Sequence, residues 1–546
     1  MPRLTAVVGL LALIGQLGTA YGMQPSRQTG DAQFRAYWVD SFGPGLYSEA
    51  EIDRLIAETK AANLNAIIAQ VARRADCLCR RSIMPRTEAG IDPYPFDPLQ
   101  TLIEKAHAAG LEVHAWLNAT IMWSGEVPPR DPAHVFYAHG PWSQGYDNWI
   151  NYRHDGARRG GNLYHFDPGH PDAADYIVSM FLSIVRNYDV DGINLDYIRY
   201  PDYNPGANIP AWGYNPVAVA RFQAVTGRSD VPEPTDPEWM RWRREQVTNI
   251  VRRVYIETYA IKPQVRVSAD TITYGPAPVN SVGWTQTRPY QEVLQDWRAW
   301  MEEGILDLNI PMNYRREQAV AEPNNQRRMF EEWNAFIKDH QYDRDAAIGT
   351  ALYLNPIEDS VVQIRAALSP SPAGNRAQGW VGFSYRTPDV LVNQRRRRPE
   401  EGRLELTRAL TQSRGDDTRL SHLFELGEYE LPAAAVFASP VPIPSMGWKT
   451  QPATGHLQGI LRTPEGESVD QIRVDLYNAV THTLLASRRT GASGWFGFVD
   501  LRPGEYTITA GVPGEIGTVS ADATVVAGRV TPIWLILSPP AAHRSP

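Results

Sequence analysis

Asp191-Gly192-Ile193-Asn194-Leu195-Asp196-Tyr197 alternates apolar and polar side chains. Period two is the mark of a strand whose two faces meet different surroundings. Ile193 and Leu195 share one face, and Asn194 and Asp196 share the other. The apolar pair is suited to packing on helices, and the polar pair to pointing into a barrel. The flanks agree with that reading. Upstream, Pro171 to Tyr188 places Ile177, Phe181, Ile184 and Val185 on one helical stripe. Downstream, Asp236-Pro237 opens a helix with Ile250, Val251 and Val254 at its core face.

The same alternation of strand and helix extends in both directions. Strand-like runs are Arg35–Asp40, Ala66–Val71, Val113–Asn118, Gly192–Tyr197, Val265–Asp270, Leu306–Asn313, Ile348–Tyr353 and Trp380–Tyr385. Between the first two, Ser48 and Glu51 form a capping-box pattern ahead of Ile52, Leu55, Ile56 and Thr59. Asp97-Pro98 opens the next helix and Gly110 ends it. Pro289 starts a helix carrying Val293, Trp297 and Trp300, stopped by Gly304. Phe330, Trp333 and Ile337 mark another, and Val361, Ile364 and Leu368 a further one. Eight runs, seven clear helices and a weaker last one predict an α/β fold, a (β/α)8 TIM barrel over 34–415. The competing doubly wound sheet lacks a G-x-G-x-x-G after the first strand.

The 546 residues exceed one compact core. Residues 431–454, with Pro432, Pro440, Pro442, Pro444 and Pro452, read as a Pro-rich linker. Period-two runs such as Ile472–Tyr477 and Glu505–Ala510 predict a small all-β sandwich domain over 455–540. At the other end, Arg3, the apolar stretch Leu4 to Ile14 and the small residues Gly18, Ala20 and Gly22 have the form of a signal peptide over 1–22. The expectation is therefore a secreted or periplasmic protein, with no cysteine for a lipoprotein anchor and no membrane span.

Lys and Arg total 53 against 61 Asp and Glu, a net charge of −8, which gives no support to a nucleic-acid partner. The 16 Trp and 25 Tyr suit a sugar-binding surface as well as ordinary cores. Oligomeric state is not legible. The two cysteines, Cys77 and Cys79, allow either a tight disulfide or two free thiols and exclude a Cys-rich zinc site. His165 and His170 lack ligand spacing, so no metal and no cofactor is expected.

Barrel active sites lie at the C-terminal ends of the strands. The polar residues closing the runs are Asp40, Gln70, His114 through Asn118, Asp196, Asp270, Asn313, Tyr353 and Tyr385. Asp196 is the candidate nucleophile or charge stabiliser of a glycosidase, set against a structural pairing with Arg199 or a loop amide. A glycosidase needs a second carboxyl group as proton donor. Asp270 is the first candidate, sharing a face with Ser268, followed by Asp40 and Asp76. His114, Trp116 and Asn118 share a face and suit hydrogen bonding to sugar hydroxyls. Asn194, Tyr197, Arg199 and Tyr314 complete the expected substrate-binding set. Aromatic residues in the loops after the third run (Trp123 to Tyr164) and the fourth (Tyr200 to Tyr214) would stack on pyranose faces or build small loop cores of their own. Arg395 to Arg398 reads as a solvated helix face.

Asp-Gly-apolar-polar-apolar-Asp is similar to strand four of the α-amylase-like barrels, where the polar residue is usually Arg rather than Asn194. More broadly, the chain from Arg35 to about Arg386 resembles the glycosyl hydrolase-like family ten proteins of bacteria. The stretches that carry the resemblance include Arg35–Val39, Asp97–Leu99, Gly110–Asn118, Asp191–Pro201, Trp242-Arg243-Arg244 and Pro311–Tyr314. It implies a TIM-barrel glycosidase acting on a bacterial envelope or exported polysaccharide, peptidoglycan glycan strands among them. It carries over to Asp196, His114 and Asn118. Where family members often show Gly-Asp-aromatic, this chain reads Ala75-Asp76-Cys77-Leu78-Cys79, keeping the acid and losing the rings. The segment Gly494–Phe498 followed by Leu501–Tyr506 resembles prealbumin-like and carboxypeptidase-regulatory-like modules, which implies a spacer or adhesion role. Two other function classes stand beside hydrolysis: a carbohydrate-binding barrel in which Asp196 has no partner acid, and an envelope scaffold that works through the sandwich.

Overall fold

A computed structural model describes residues 32–279, 283–412, 435–512 and 516–537. The expected signal peptide, the last three residues assigned to the barrel (413–415), the start of the Pro-rich segment (431–434) and the end of the sandwich (538–540) lie outside those residues.

Eight parallel strands close into a barrel: β1 (Phe34–Val39), β2 (Ala66–Ala72), β3 (Glu112–Asn118), β4 (Gly192–Asp196), β5 (Arg266–Ile272), β6 (Leu308–Met312), β7 (Asp345–Ala351) and β8 (Gly379–Phe383). Each strand pairs with its neighbours in sequence, and β8 closes on β1 through Phe34↔Gly379 to Trp38↔Phe383. The strands are buried on both faces, as a sheet with helices outside and side chains inside requires. The outer layer is α1 (Glu49–Ala61), α2 (Pro98–Ala108), α3 (Pro171–Asn187), α4 (Pro237–Ile261), α5 (Trp297–Glu303), α6 (Gln326–Asp339), α7 (Ile357–Leu368) and α8 (Pro399–Thr411). Helix starts follow local chemistry. Ser48, Asp97 and Asp236 each accept a hydrogen bond from the first-turn backbone, and Pro98 and Pro237 occupy the position where no N–H is needed.

Two expectations are corrected. The helix drawn from Pro289 to Gly304 is broken: Leu294 adopts a positive φ of 54°, and Asp296 caps a new helix, α5, by accepting from Ala299 N. The Gln295 side chain, between them, accepts from Ile272 N at 2.8 Å and so ties the break to the barrel. The basic run at 395–398 is not a helix face either. Arg395 turns at φ 60°, Arg397 pairs with Asp389 at 2.8 Å, and Arg398 caps α8.

The second domain is the expected small β-sandwich. Its strands are β9 (Gly455–Arg462), β10 (Arg473–Asn478), β11 (Leu484–Arg489), β12 (Trp495–Leu501), β13 (Gly504–Val512), β14 (Ile516–Val525) and β15 (Val530–Ile536). They form a three-stranded sheet, β12-β9-β15, and a four-stranded sheet, β11-β10-β13-β14. Leu457, Leu461, Val474, Leu476, Phe496 and Ile508 fill the space between.

Residues 435–454 are irregular apart from a short helical turn at Gly447–Thr450, and they are not free. They cross the N-terminal face of the barrel, where Gln33 N donates to Pro442 O (2.9 Å) and the Arg266 guanidinium donates to Pro444 O (2.7 Å). The crossing ends in a buried ion pair, Lys449 Nζ to Asp307 Oδ2 at 2.5 Å. The sandwich then packs along α4, where Trp242 Nε1 donates to Gln471 Oε1 at 3.1 Å. Gly497 has no side chain because a Cβ there would lie 2.5 Å from Ile256. Cys77 and Cys79 are joined in a disulfide and buried, which resolves the two alternatives left by the sequence. Among the described residues no helix is long and apolar enough to cross a membrane.

Candidate active site

The C-terminal ends of the strands surround a cavity of about 680 Å³. Trp38 and Asp40 reach it from β1, Gln70 and Arg73 from β2, Trp116 and Asn118 from β3, and Asp196, Tyr197 and Arg199 from β4 and the turn after it. Asp270 and Tyr274 come from β5, Tyr314 from β6, Tyr353 from β7 and Phe383 from β8.

Two carboxyl groups sit at its floor. Asn194 pairs with Ser268 and Leu195 with Ala269, so Asp196 and Asp270 are the next in-register pair on adjacent strands. Adjacent strands are about 4.8 Å apart, and side chains of equal parity share a face. Asp196 and Asp270 therefore face the cavity side by side.

Asp196 is held through both oxygens. Tyr197 turns at φ 49°, a left-handed conformation that L-residues rarely adopt, and its N–H donates to Asp196 Oδ1 at 2.6 Å. Trp116 Nε1 lies 3.1 Å from both Asp196 Oδ2 and Asn118 Oδ1. Gln70 Nε2 also donates to Asn118 Oδ1 (3.3 Å), and Gln70 Oε1 accepts from the N and Oγ of Ser41 at 3.0 and 2.9 Å. Asp270 is held from below: Asn194 Nδ2 donates to Asp270 Oδ1 and to Ser268 Oγ, both at 3.0 Å.

Burial pushes the Asp196 carboxyl up to about 6, against the pull of the Arg199 charge and the Tyr197 and Trp116 N–H groups. Asp270 is driven higher still, first by burial and then by the negative charge of Asp196, with Asn194 and Trp38 pulling the other way. The pair thus keeps a proton to pHs where lone aspartates have lost theirs, and Asp270 is the better holder. A low-dielectric floor with one ionised and one protonated carboxyl can supply a negative charge and a proton to the same bond.

The sequence-derived candidates divide cleanly. Asp40, Gln70, Trp116, Asn118, Asp196, Tyr197, Arg199, Asp270, Tyr314 and Tyr353 line the cavity. Asp40 is paired with Arg386 at 2.9 Å, which commits its charge. Arg199 pairs with Asp202 at 3.7 Å rather than with Asp196, whereas the loop amide does bind Asp196.

Asp76, His114, Asn194, Asn313 and Tyr385 do not line it. His114 has the right parity but the wrong height. It lies low in β3, level with Gly192, where it meets Glu112 Oε2 at 3.0 Å and sets its ring edge against Phe34. A Cβ on Gly192 would fall 2.2 Å from His114 Nδ1, so the glycine makes room for the ring. Asn194 sits one layer below the floor and acts through Asp270. Asn313 turns outward and donates to Phe330 O and Asn334 Oδ1, both at 3.0 Å. Tyr385 donates to Glu58 Oε2 at 2.8 Å behind the barrel wall. Asp76 is buried in the loop after β2, paired with Arg74 at 3.2 Å and bonded by Thr87 at 2.9 Å.

Most of the loop aromatics build local cores. Trp123, Phe136 and Trp149 are buried, and Trp149 stacks on His139 at 3.5 Å, while Tyr203 does reach the cavity. Sequence reasoning missed Trp38, Arg73, Tyr274 and Arg315. Trp38 was available by parity, two residues before Asp40. Arg73 was not, because a bulge between Gln70 and Ala72 breaks the alternation. Among the described residues no group of three or more His, Cys, Asp or Glu is arranged to hold a metal ion.

The Glycosyl hydrolase-like 10 family model matches residues 33–342. The chain belongs to that family. It is 27% identical over 305 residues to Glycosyl hydrolase YngK of Bacillus subtilis, an alignment covering 52% of this chain and 54% of that protein. It is 26% identical over 287 residues to Glycosyl hydrolase DigH of Escherichia coli K12, covering 49% of this chain and 58% of that protein. The chain thus spans little more than half the length of these relatives. Among solved structures, the glycoside hydrolase domain of PgaB (BpsB) from Bordetella bronchiseptica aligns at 16% identity and a TM-score of 0.43, over 68% of this chain and 98% of that one.

Proposed function

We propose that the protein is an exported glycoside hydrolase. It cleaves glycosidic bonds of a bacterial envelope or exported polysaccharide, peptidoglycan glycan strands being one candidate, through Asp196 and Asp270. The supporting observation is the pair itself: two buried, in-register carboxyl groups on the floor of an open cavity walled by Trp38, Trp116, Tyr314 and Phe383. A binding-only barrel would have no use for a partner acid beside Asp196. Asp196 acts as the ionised carboxylate that meets the developing positive charge at the anomeric carbon. Asp270 carries the proton for the leaving oxygen. The two carboxyl groups sit on neighbouring strands, close enough for the charge of Asp196 to raise Asp270. The N-terminal residues 1–22 supply the export signal.

The leaving group provides the test. Asp270→Asn removes the proton donor, so hydrolysis of a polysaccharide falls by at least about a hundredfold. A dinitrophenyl glycoside of the same sugar, whose leaving group needs no proton, loses much less. Equal losses on both substrates would take the acid role away from Asp270.

A further inference from the structure

A second cavity, of about 700 Å³, opens at the seam where α4 and α5 face strands β10 and β11 of the sandwich. Six arginines reach it: Arg241, Arg244 and Arg252 from α4, and Arg473, Arg488 and Arg489 from the sandwich. Four carboxylates reach it too, and their charge is spent locally. Glu303 binds both Arg252 (2.5 Å) and Arg488 (3.2 Å), Glu245 lies 3.6 Å from Arg252, and Glu238 lies 3.5 Å from Arg241. Asp296 accepts from Trp284 Nε1 and Ala299 N at the start of α5. Arg473 is paired with Asp475.

Arg244 and Arg489 are left over. Arg244 is only 8% exposed, lies 3.7 Å over the Tyr290 ring and donates to Tyr290 O at 2.9 Å. Arg489 donates to Gln471 O at 2.6 Å from the opposite wall. Among the described residues neither has a carboxylate at ion-pair distance. Burial works against the Arg244 charge, and Tyr290 and Asp296 offset this only in part. A buried cation without a counter-ion is unfavourable, and an oxyanion taken up between the planar guanidinium groups would relieve this. Trp242-Arg243-Arg244 therefore divides its work. Arg243 is spent on the carbonyls of Pro210, Trp212 and Pro234, Trp242 holds the sandwich, and Arg244 is held facing the cavity.

We propose that this seam is a second binding site, for a carboxylate or phosphate group carried on a saccharide chain. The anion follows from the arginines and the volume is far larger than a bare oxyanion needs. That the carrier is a saccharide rests on the glycosidase reading above.

Isothermal titration of the full chain at low salt with tetragalacturonate, inorganic phosphate and neutral chitotetraose tests the assignment. At least one anionic probe binds saturably, and Arg244→Gln and Arg489→Gln each weaken it about tenfold. Tetragalacturonate alone assigns a carboxylate, and phosphate alone assigns a phosphoryl group. Arg489 lies on an exposed strand position, so its variant reports even if Arg244→Gln disturbs folding. The proposal is overturned if neither anionic probe binds, if both variants bind them as the wild type does, or if chitotetraose binding depends equally on Arg244. The readout does not require turnover. An inactive protein that still binds through Arg244 would remove the glycosidase reading and leave the anion site standing.

Discussion

Asp196→Asn gives the most informative single perturbation, because stability and activity respond to the same buried charge. The Asp196 carboxyl is pushed from its ordinary 3.8 up to about 6. In the unfolded chain it loses its proton near pH 4, whereas in the folded protein it keeps it until about pH 6. Between those values the folded state binds more protons, so the wild type loses stability as pH rises. At about 1.4 kcal/mol per pH unit, a shift of roughly two units makes a loss of about 3 kcal/mol by pH 7. The variant does not titrate there. It also relieves Asp270 of a neighbouring negative charge, which acts in the same direction. A second effect opposes these equally at every pH. Both Asp196 oxygens accept from N–H groups, Tyr197 N and Trp116 Nε1, so the new amide NH2 must face a donor. That mismatch costs about 1–3 kcal/mol. The absolute melting temperature is therefore less telling than its pH dependence. Thermal midpoints of both proteins from pH 4 to pH 8 at constant ionic strength are the assay. The variant gains on the wild type by roughly 3 °C between pH 4 and pH 7. A difference that stays flat, or moves against the variant, would refute the burial argument for Asp196.

Three further outcomes follow from the same geometry. Trp116→Phe removes an N–H that favours ionised Asp196, so the acidic limb of kcat/KM moves to higher pH and activity at pH 7 falls about tenfold or more; an unmoved limb would separate the indole from the carboxylate. Asn194→Ala removes the donor to Asp270, which then holds its proton more tightly; the alkaline limb moves up and kcat falls about tenfold, while KM changes little. Lys449→Met leaves Asp307 buried without its cation and destabilises the protein by about 3–5 kcal/mol with kcat unchanged; unaltered denaturant midpoints would mean the buried pair contributes nothing.

The barrel was legible because its signals are local and repeated. Each strand shows its apolar alternation or run, and several of the long helices show a cap, at Ser48, Asp97 and Asp236. The failures have specific physical causes. Pro289 does open a short helix, Arg288–Gln291, but nothing in the sequence announces that Leu294 turns left-handed and that Asp296 caps a second helix. At the site, parity was sound and height was not. His114, Asn194, Asp196 and Asp270 all have inward parity, but only the last turn of each strand reaches the cavity, and alternation does not say where a strand meets its mouth. Asn313 and Tyr385 lie past the ends of their strands, where the chain has already turned outward and alternation no longer applies. Arg73 was hidden by a bulge, and Arg244 by a role that exists only once a second domain is docked against its helix.

The account stands most directly on the release of reducing ends from purified bacterial polysaccharides, peptidoglycan glycan strands included, by the wild type and by Asp196→Asn at matched concentration. The wild type cleaves at least one of them, and the folded variant is slower by about three orders of magnitude or more. A variant that cleaves at near wild-type rate, or a wild type that cleaves none, would contradict it.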